Sequence, residues 1–331
     1  MKTLKEPISV FTWHIHGSYL YYLSQGNYKI YIPVTKEKQE GYYGKGDTFP
    51  FGENVIEIPA EEVKNVDLDC ILFQSNKNWL VDQFEILSEK QRELPRIYLE
   101  HDPPRHTPTE TKHIVNDPDV VIVHVSNFNK LMWNNQSSKV VKVIEHGVIV
   151  PEATYKGDLE KGIVVVNNLF LRGRRLGADI FTEVSKRIPL DLIGMGSKEY
   201  GGLGEIPLPE LPEFISHYRF FFNPIRYTSL GLAVIEAMMT GLPMVALATT
   251  EYVTVIKNYE TGFIDTDVDY LVHKMQLLLS NKNWAAGIGA KGQEYAEDRF
   301  NINRFTEEWE NIFESVTSKK ENYEKENSIY Q

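Results

Sequence analysis

The stretch Asn223–Leu247, NPIRYTSLGLAVIEAMMTGLPMVAL, constrains the fold most, because it compresses a strand end, a glycine turn, a helix and a second strand into 25 residues. Phe220, Phe221 and Phe222 form an apolar run that Pro224 stops. Thr228 or Ser229 is placed to cap a helix carrying Leu232, Ile235, Glu236 and Met239 at helical spacing. Gly241 and Pro243 end that helix, and the apolar run Met244–Ala248 follows at once. Strand, helix and strand at such close quarters predict the open parallel sheet of an α/β domain. Ligands bind such sheets beyond the carboxyl ends of the strands. There the turn Thr228-Ser229-Leu230-Gly231 would offer helix N–H groups, and the positive end of the helix dipole, to an anion.

Glu236 adds chemistry to this turn, since it lies eight residues after Thr228 on a helix otherwise built of Leu, Ala, Val, Ile and Met. Its two acceptor oxygens suit a pair of ligand hydroxyls, such as those of a ribose. Ser229, Gly231, Leu232, Glu236, Ala237, Met238, Gly241 and Pro243 together resemble the signature of the retaining glycosyltransferases of family 4. The resemblance implies the GT-B fold, an α/β architecture of two Rossmann-like domains facing each other across a cleft, with a final helix crossing back to the first domain. It also implies transfer of a sugar from a nucleoside diphosphate sugar, as co-substrate, to a hydroxyl on a glycan, glycolipid or small molecule, with no further cofactor. In the family the second of two glutamates holds the nucleotide ribose and the first contacts the donor sugar. Glu236 matches the second, and Thr228 stands where the first is expected. Thr228, Ser229, Leu230, Gly231, Leu232 and Glu236 are thus the donor-binding candidates of this segment.

A chain of 331 residues accommodates two α/β domains of ordinary size. Its net charge of −11 argues against a nucleic-acid partner. Cys70 is the single cysteine, so neither an intramolecular disulfide nor a cysteine-based zinc site is available. No apolar run approaches a membrane span, and the segment before Pro7 lacks a signal-like core. The expectation is a cytoplasmic protein. Contact with the inner face of the membrane stays open, because many members of the resembled family act on lipid-linked acceptors.

In the first half, Ile8–Trp13 reads as a strand that ends in His14-Ile15-His16-Gly17, before a short helix at Tyr19–Leu23. By position this resembles the first strand-to-helix loop of a GT-B domain, which makes Gly17 a donor contact and His14 and His16 acceptor contacts; ordinary loop residues are the alternative. Lys29–Val34 is the second strand, and the loop Thr35–Gly52 carries Tyr42, Tyr43, Phe49 and Phe51. Tyr42 and Tyr43 are candidates for stacking on an acceptor sugar, against the alternative of packing on their own domain. Val66–Gln74, Arg96–Glu100, Asp119–Val125 and Val140–Glu145 read as further strands. After Arg96–Glu100 the cluster His101-Asp102-Pro103-Pro104 is held rigidly at a sheet edge, where His101 and Asp102 are catalytic candidates, against the alternative of a rigid capped turn. The first domain is expected over 1–151.

A polar segment at 152–161 opens the second domain, expected over 152–303. The strand Gly162–Val166 leads to Arg172, Arg174 and Arg175 among two glycines, before a helix at Ala178–Arg187. Guanidinium groups meet phosphate oxygens in pairs, so the three arginines read as a phosphate grip, with a solvated basic turn as the alternative. The resemblance implies that the group held is the donor diphosphate, with Arg172 and Arg175 as catalytic and Arg174 as donor-binding candidates. Leu190–Ile193 ends in Gly194-Met195-Gly196, where Gly194 and Gly196 allow close approach of a nucleotide. Thr261-Gly262-Phe263-Ile264 resembles a family turn. Phe305, Trp309, Ile312, Phe313 and Val316 place a helix over Arg304–Val316, with residues 319–331 a frayed polar tail.

Three Asp-x-Asp triplets, at Asp67, Asp117 and Asp265, fit strand-entry and capping roles better than metal ligation, so no metal is expected. A GT-B protein that binds a nucleotide sugar or glycan but has lost catalysis is the principal alternative, and a sugar-nucleotide epimerase is another.

Overall fold

Runs of β-branched and aromatic residues become strands here, and each returns through a helix or long loop to the same edge of its sheet, which makes every pairing parallel. A computed structural model describes residues 6–151 and 153–328. The first five residues, Glu152 and the last three lie outside the described residues, so the leader, linker and tail readings fall partly beyond them. The contacts divide the chain between Gly147 and Val148 and again between Asn301 and Ile302.

The first unit contains β1 (Ser9–Thr12), β2 (Lys29–Val34), β3 (Val55–Pro59), β4 (Cys70–Phe73), β5 (Arg96–Glu100), β6 (Val121–His124) and β7 (Val141–Val143). They form one parallel sheet in the order β3-β2-β1-β4-β5-β6-β7. On one side lies a core that includes Phe11, Trp13, Phe73, Tyr98 and Ile122. Helix Ile302–Ser328 belongs to this unit: Trp309 Nε1 donates to the Tyr19 hydroxyl at 3.1 Å, and the Phe313 ring meets Tyr28 edge-on. The helix runs well past the expected Val316, through most of the segment expected to fray.

The second unit contains β8 (Leu159–Val165), β9 (Leu190–Ile193), β10 (Tyr218–Asn223), β11 (Met244–Leu247) and β12 (Gly262–Asp265), in the parallel order β12-β11-β10-β8-β9. Every residue of β10 and of β11 is buried, as a central parallel strand covered on both faces requires. Phe220, Phe222, Val245 and Phe263 join one core with Leu271 and Met275 from helix Val268–Ser280.

Four local readings are corrected. The expected strand Val66–Gln74 shortens to β4, because Val66 N–H closes onto Val63 O and the Asp69 carboxylate takes the N–H of Ser9. β3 went unread, although Ile56 and Ile58 are half-buried on one face while Glu57 and Pro59 are exposed on the other, as at a sheet edge. Gly262–Asp265 is a strand paired with β11 instead of a turn. The helix expected to be capped by Thr228 or Ser229 begins at Leu232 with Gly231 as its N-cap, and no side chain caps it. The aspartate triplets do serve strand entry and capping: Asp117 accepts from Arg96 and from Asp119 N–H, and Asp267 caps helix Val268–Ser280.

His124 on β6 is fully buried, with Nε2 2.8 Å from Asn135 Oδ1. Burial lowers its pKa from 6.5 to about 4, against the opposing pull of the Asn135 hydrogen bond. The folded protein therefore keeps it neutral while the unfolded chain takes up a proton near pH 6.5, so stability is present above that pH and lost as the pH falls toward 4. Denaturant unfolding should show a loss of about 2 kcal/mol between about pH 7.5 and pH 5 from this residue, and His124→Gln should remove that part of the slope. An unchanged slope in the variant would assign the acid sensitivity elsewhere.

Candidate functional site

Each sheet has one place where the chain, after building to one side of its first strand, crosses to the other. The loops leaving the two strands that flank this place diverge and open a crevice, where open α/β sheets bind ligands. In the second unit it lies between β8 and β10, and in the first between β1 and β4.

The arginine turn and the Asn223–Gly231 loop therefore face each other across the crossover of the second unit. They are tied together: Arg175 O accepts the N–H groups of Arg226 at 3.1 Å and Tyr227 at 3.2 Å. Gly177, at φ 83°, makes this approach feasible, since a Cβ there would fall 1.9 Å from Pro224 O. Arg226 clamps both ends of the Asp179 carboxylate at 2.6 and 2.8 Å and donates to Arg174 O. That guanidinium, with Arg174 adding to it, holds the Asp179 carboxyl below the usual carboxylate range. Arg174 also donates to Asp179 and is 76% exposed. Arg172 is exposed and Arg175 half-buried.

The neighbouring loops are tied in as well. Met195 N–H donates to Asn167 Oδ1 at 2.9 Å and Asn168 N–H to Met195 O at 2.7 Å, which sets Gly194 and Gly196 beside the start of the arginine turn. From the loop after β11, Thr249 Oγ1 donates to Ile225 O at 3.1 Å. Thr228, Ser229, Gly231 and Leu232 are half-buried, and Leu230 is buried. Glu236 is only 4% exposed, on helix Leu232–Met239. Tyr252 is buried near the start of this helix, and burial pushes its hydroxyl up to about 12, so it stays a neutral phenol.

In the first unit the structure separates residues that the sequence grouped. His14 is buried, with Nδ1 2.6 Å from Gly44 O and its ring among Tyr43, Phe49 and Phe51, and burial lowers its pKa. It anchors the aromatic loop instead of facing a ligand. Tyr42 lies in the core, which leaves Tyr43, 42% exposed, as the ring presented to solvent. Gly17 is covered by the Phe49 ring, which would stand 2.2 Å from an added Cβ. The close approach it allows is therefore intramolecular.

His16 and His101 do come together, their ring centroids 4.0 Å apart, and Tyr19 makes edge contacts with both His101 and His146. Asp102 pairs with Arg105, and its carbonyl accepts from Trp133 Nε1 at 2.8 Å. Among the described residues no group of three or more His, Cys, Asp or Glu is arranged to hold a metal ion, and no helix is long and apolar enough to cross a membrane.

Sequence reasoning missed Arg226, Asn167, Gln74 and His146. Arg226 lies inside the most informative stretch, but its partner Asp179 is 47 residues away and no local pattern links them.

Two parallel-sheet α/β units of this kind define the GT-B fold, and comparison with known proteins agrees. Residues 185–281 match the family described as glycosyl transferases group 1. A sucrose-phosphate synthase from Thermosynechococcus elongatus superposes with a TM-score of 0.70 at 17% identity, over 95% of this chain and 100% of that one. The Anabaena protein HepE, in complex with UDP and glucose, superposes with a TM-score of 0.67 at 13% identity, over 94% of this chain and 100% of that one. An uncharacterized glycosyltransferase of Haemophilus influenzae is 24% identical over 213 residues, which span 58% of this chain and 60% of that relative.

The Gly177 contact can be tested directly. Gly177→Ala should lower stability by roughly 2 to 4 kcal/mol, combining the left-handed backbone with the clash at Pro224 O, whereas Gly201→Ala, left-handed but in open space, should cost only about 1 kcal/mol. Denaturant midpoints of the two variants measure the difference, and equal values would show that the Gly177–Pro224 approach relaxes freely.

Proposed function

We propose that this protein is a retaining glycosyltransferase that moves a hexose from a nucleoside diphosphate sugar to a hydroxyl acceptor without a metal ion. What carries the reading is the meeting, at the crossover of the second sheet, of an arginine turn with an uncapped helix start that bears a buried glutamate. The glycosyltransferase match over residues 185–281 and the likeness to a protein that holds UDP and glucose support it.

Glu236 takes the ribose hydroxyls of the donor, and Gly194 and Gly196 border the nucleotide. Arg172 and Arg175, with the dipole of helix Leu232–Met239, take up the charge that grows on the diphosphate as the bond from the anomeric carbon to phosphate oxygen breaks. Arg174 and Arg226, both paired with Asp179, keep the turn in shape. The acceptor oxygen forms the new bond to the anomeric carbon on the same face, and its proton leaves with the diphosphate. Thr228 offers the donor sugar a hydroxyl. His16, His101, Asp102 and Tyr43 in the first unit serve the acceptor, a glycan, glycolipid or small alcohol. The place of action is the cytoplasm, including the inner face of the membrane for a lipid-linked acceptor.

A second reading rests on Thr228 itself. With no carboxylate at that position, the same site suits a protein that binds a nucleotide sugar or glycan without transferring it.

Calorimetry with UDP, GDP and ADP, without added metal, tests the donor site. One nucleotide should bind, and Glu236→Gln should weaken it by roughly 1.5 to 3 kcal/mol, or roughly 10- to 150-fold. If none binds, or the variant binds as the wild type does, the assignment of Glu236 fails. Thr228→Val should leave nucleotide affinity near wild type and reduce turnover. Absence of transfer from every donor of the bound nucleotide would favour the second reading.

A further inference from the structure

Gln74 follows β4 at the crossover of the first sheet and is almost fully buried. Its hydrogen bonds form a chain across three strands whose direction can be worked out. The Thr12 hydroxyl donates its proton to Leu72 O at 2.8 Å, so its oxygen can only accept from Gln74. Trp13 O also only accepts. Both atoms lie within reach of the same Gln74 nitrogen, at 2.8 and 3.0 Å, which fixes that atom as Nε2 and turns Oε1 toward His101. Oε1 has no proton to give, and it stands 3.0 Å from His101 Nε2. The proton of that contact must therefore sit on the imidazole.

We infer that Gln74 is a positioning residue: it holds His101 as the neutral Nε2–H imidazole, leaving Nδ1 as an acceptor for a carbohydrate hydroxyl. The surroundings fit a ring kept neutral. His16 lies against it, His146 shares the Tyr19 ring with it, and burial together with these two histidines lowers the His101 pKa well below its usual value. Arg304 donates to the carbonyls of Glu145 and His146, and it and Glu308 are the charged groups acting on Tyr19. Asn129 Nδ2 pins the His101 carbonyl at 3.1 Å. A neutral ring with one lone pair selects a hydrogen-bond donor and gives an anion no charge to pair with, so this position takes an alcohol group of the substrate and not a phosphate. The last step rests on the glycosyltransferase reading; the protonation state of His101 does not.

The experiment is long-range proton–nitrogen NMR of the full chain labelled with ¹⁵N-histidine, with His101→Gln used to assign the His101 signals. The wild type should show His101 neutral with the proton on Nε2 from about pH 6 to 8. Gln74→Leu should lose the single tautomer, and Gln74→Glu should retain Nε2–H while raising the pKa by about one unit or more through its carboxylate. An Nδ1–H ring or a cation in the wild type at neutral pH, or an unaltered His101 signal in both variants, would overturn the assignment. Nucleotide affinity reports on the second unit and should stay within about twofold in Gln74→Leu, while kcat/KM for transfer drops about tenfold and recovers in part in Gln74→Glu. Unchanged kcat/KM in Gln74→Leu would remove Gln74 and His101 from substrate handling even with the tautomer as stated.

Discussion

Parallel pairing is the constraint on which everything else in this protein depends. A strand that must run beside its neighbour in the same direction cannot turn straight back, so each strand hands the chain to a helix or long loop and re-enters from the same edge. All the outgoing loops of a sheet then share one edge, and both faces of its central strands are buried. The triple phenylalanine of β10 and the apolar β11 satisfy the burial. The arginine turn, the Gly194 loop and the Thr228–Gly231 turn occupy the shared edge. Where the order of strands reverses, two of these loops part and leave room for a ligand.

Polar atoms at the crossovers are committed in pairs and chains, which gives each loop a definite shape. In the second unit the carbonyl of Arg175 takes two N–H groups and one carboxylate, Asp179, takes two guanidinium groups. In the first unit Gln74 binds β1 and the loop after β5 through opposite ends of one amide. A buried amide with all its partners fixed specifies the direction of every hydrogen bond around it, because an unmatched group in such a place costs about 1 to 3 kcal/mol. The orientation of the Gln74 amide thereby selects which nitrogen of His101 carries the proton in their hydrogen bond.

How much was legible in the sequence varied with the range of the interaction. β2, β5 and β9 were read at their observed limits because their own apolar composition defines them. β3 and β12 were missed, being edge strands of five and four residues whose existence depends on a neighbour to pair with. His14, Tyr42 and Gly17 had the composition of a binding loop, but that loop folds back on its own domain, and only packing distinguishes a ring offered to a ligand from one buried by Phe49 and Phe51.

By itself the sequence determined the α/β class, the strand–helix–strand unit around Glu236 and the residue types gathered at its edge, because hydrophobic periodicity and helix-ending glycines act over a few residues. Tertiary structure alone decided which of those residues meet. Arg226 finds Asp179, and Gln74 finds His101, through strand order, and that order is set by packing of the whole sheet, which no local pattern of residues records.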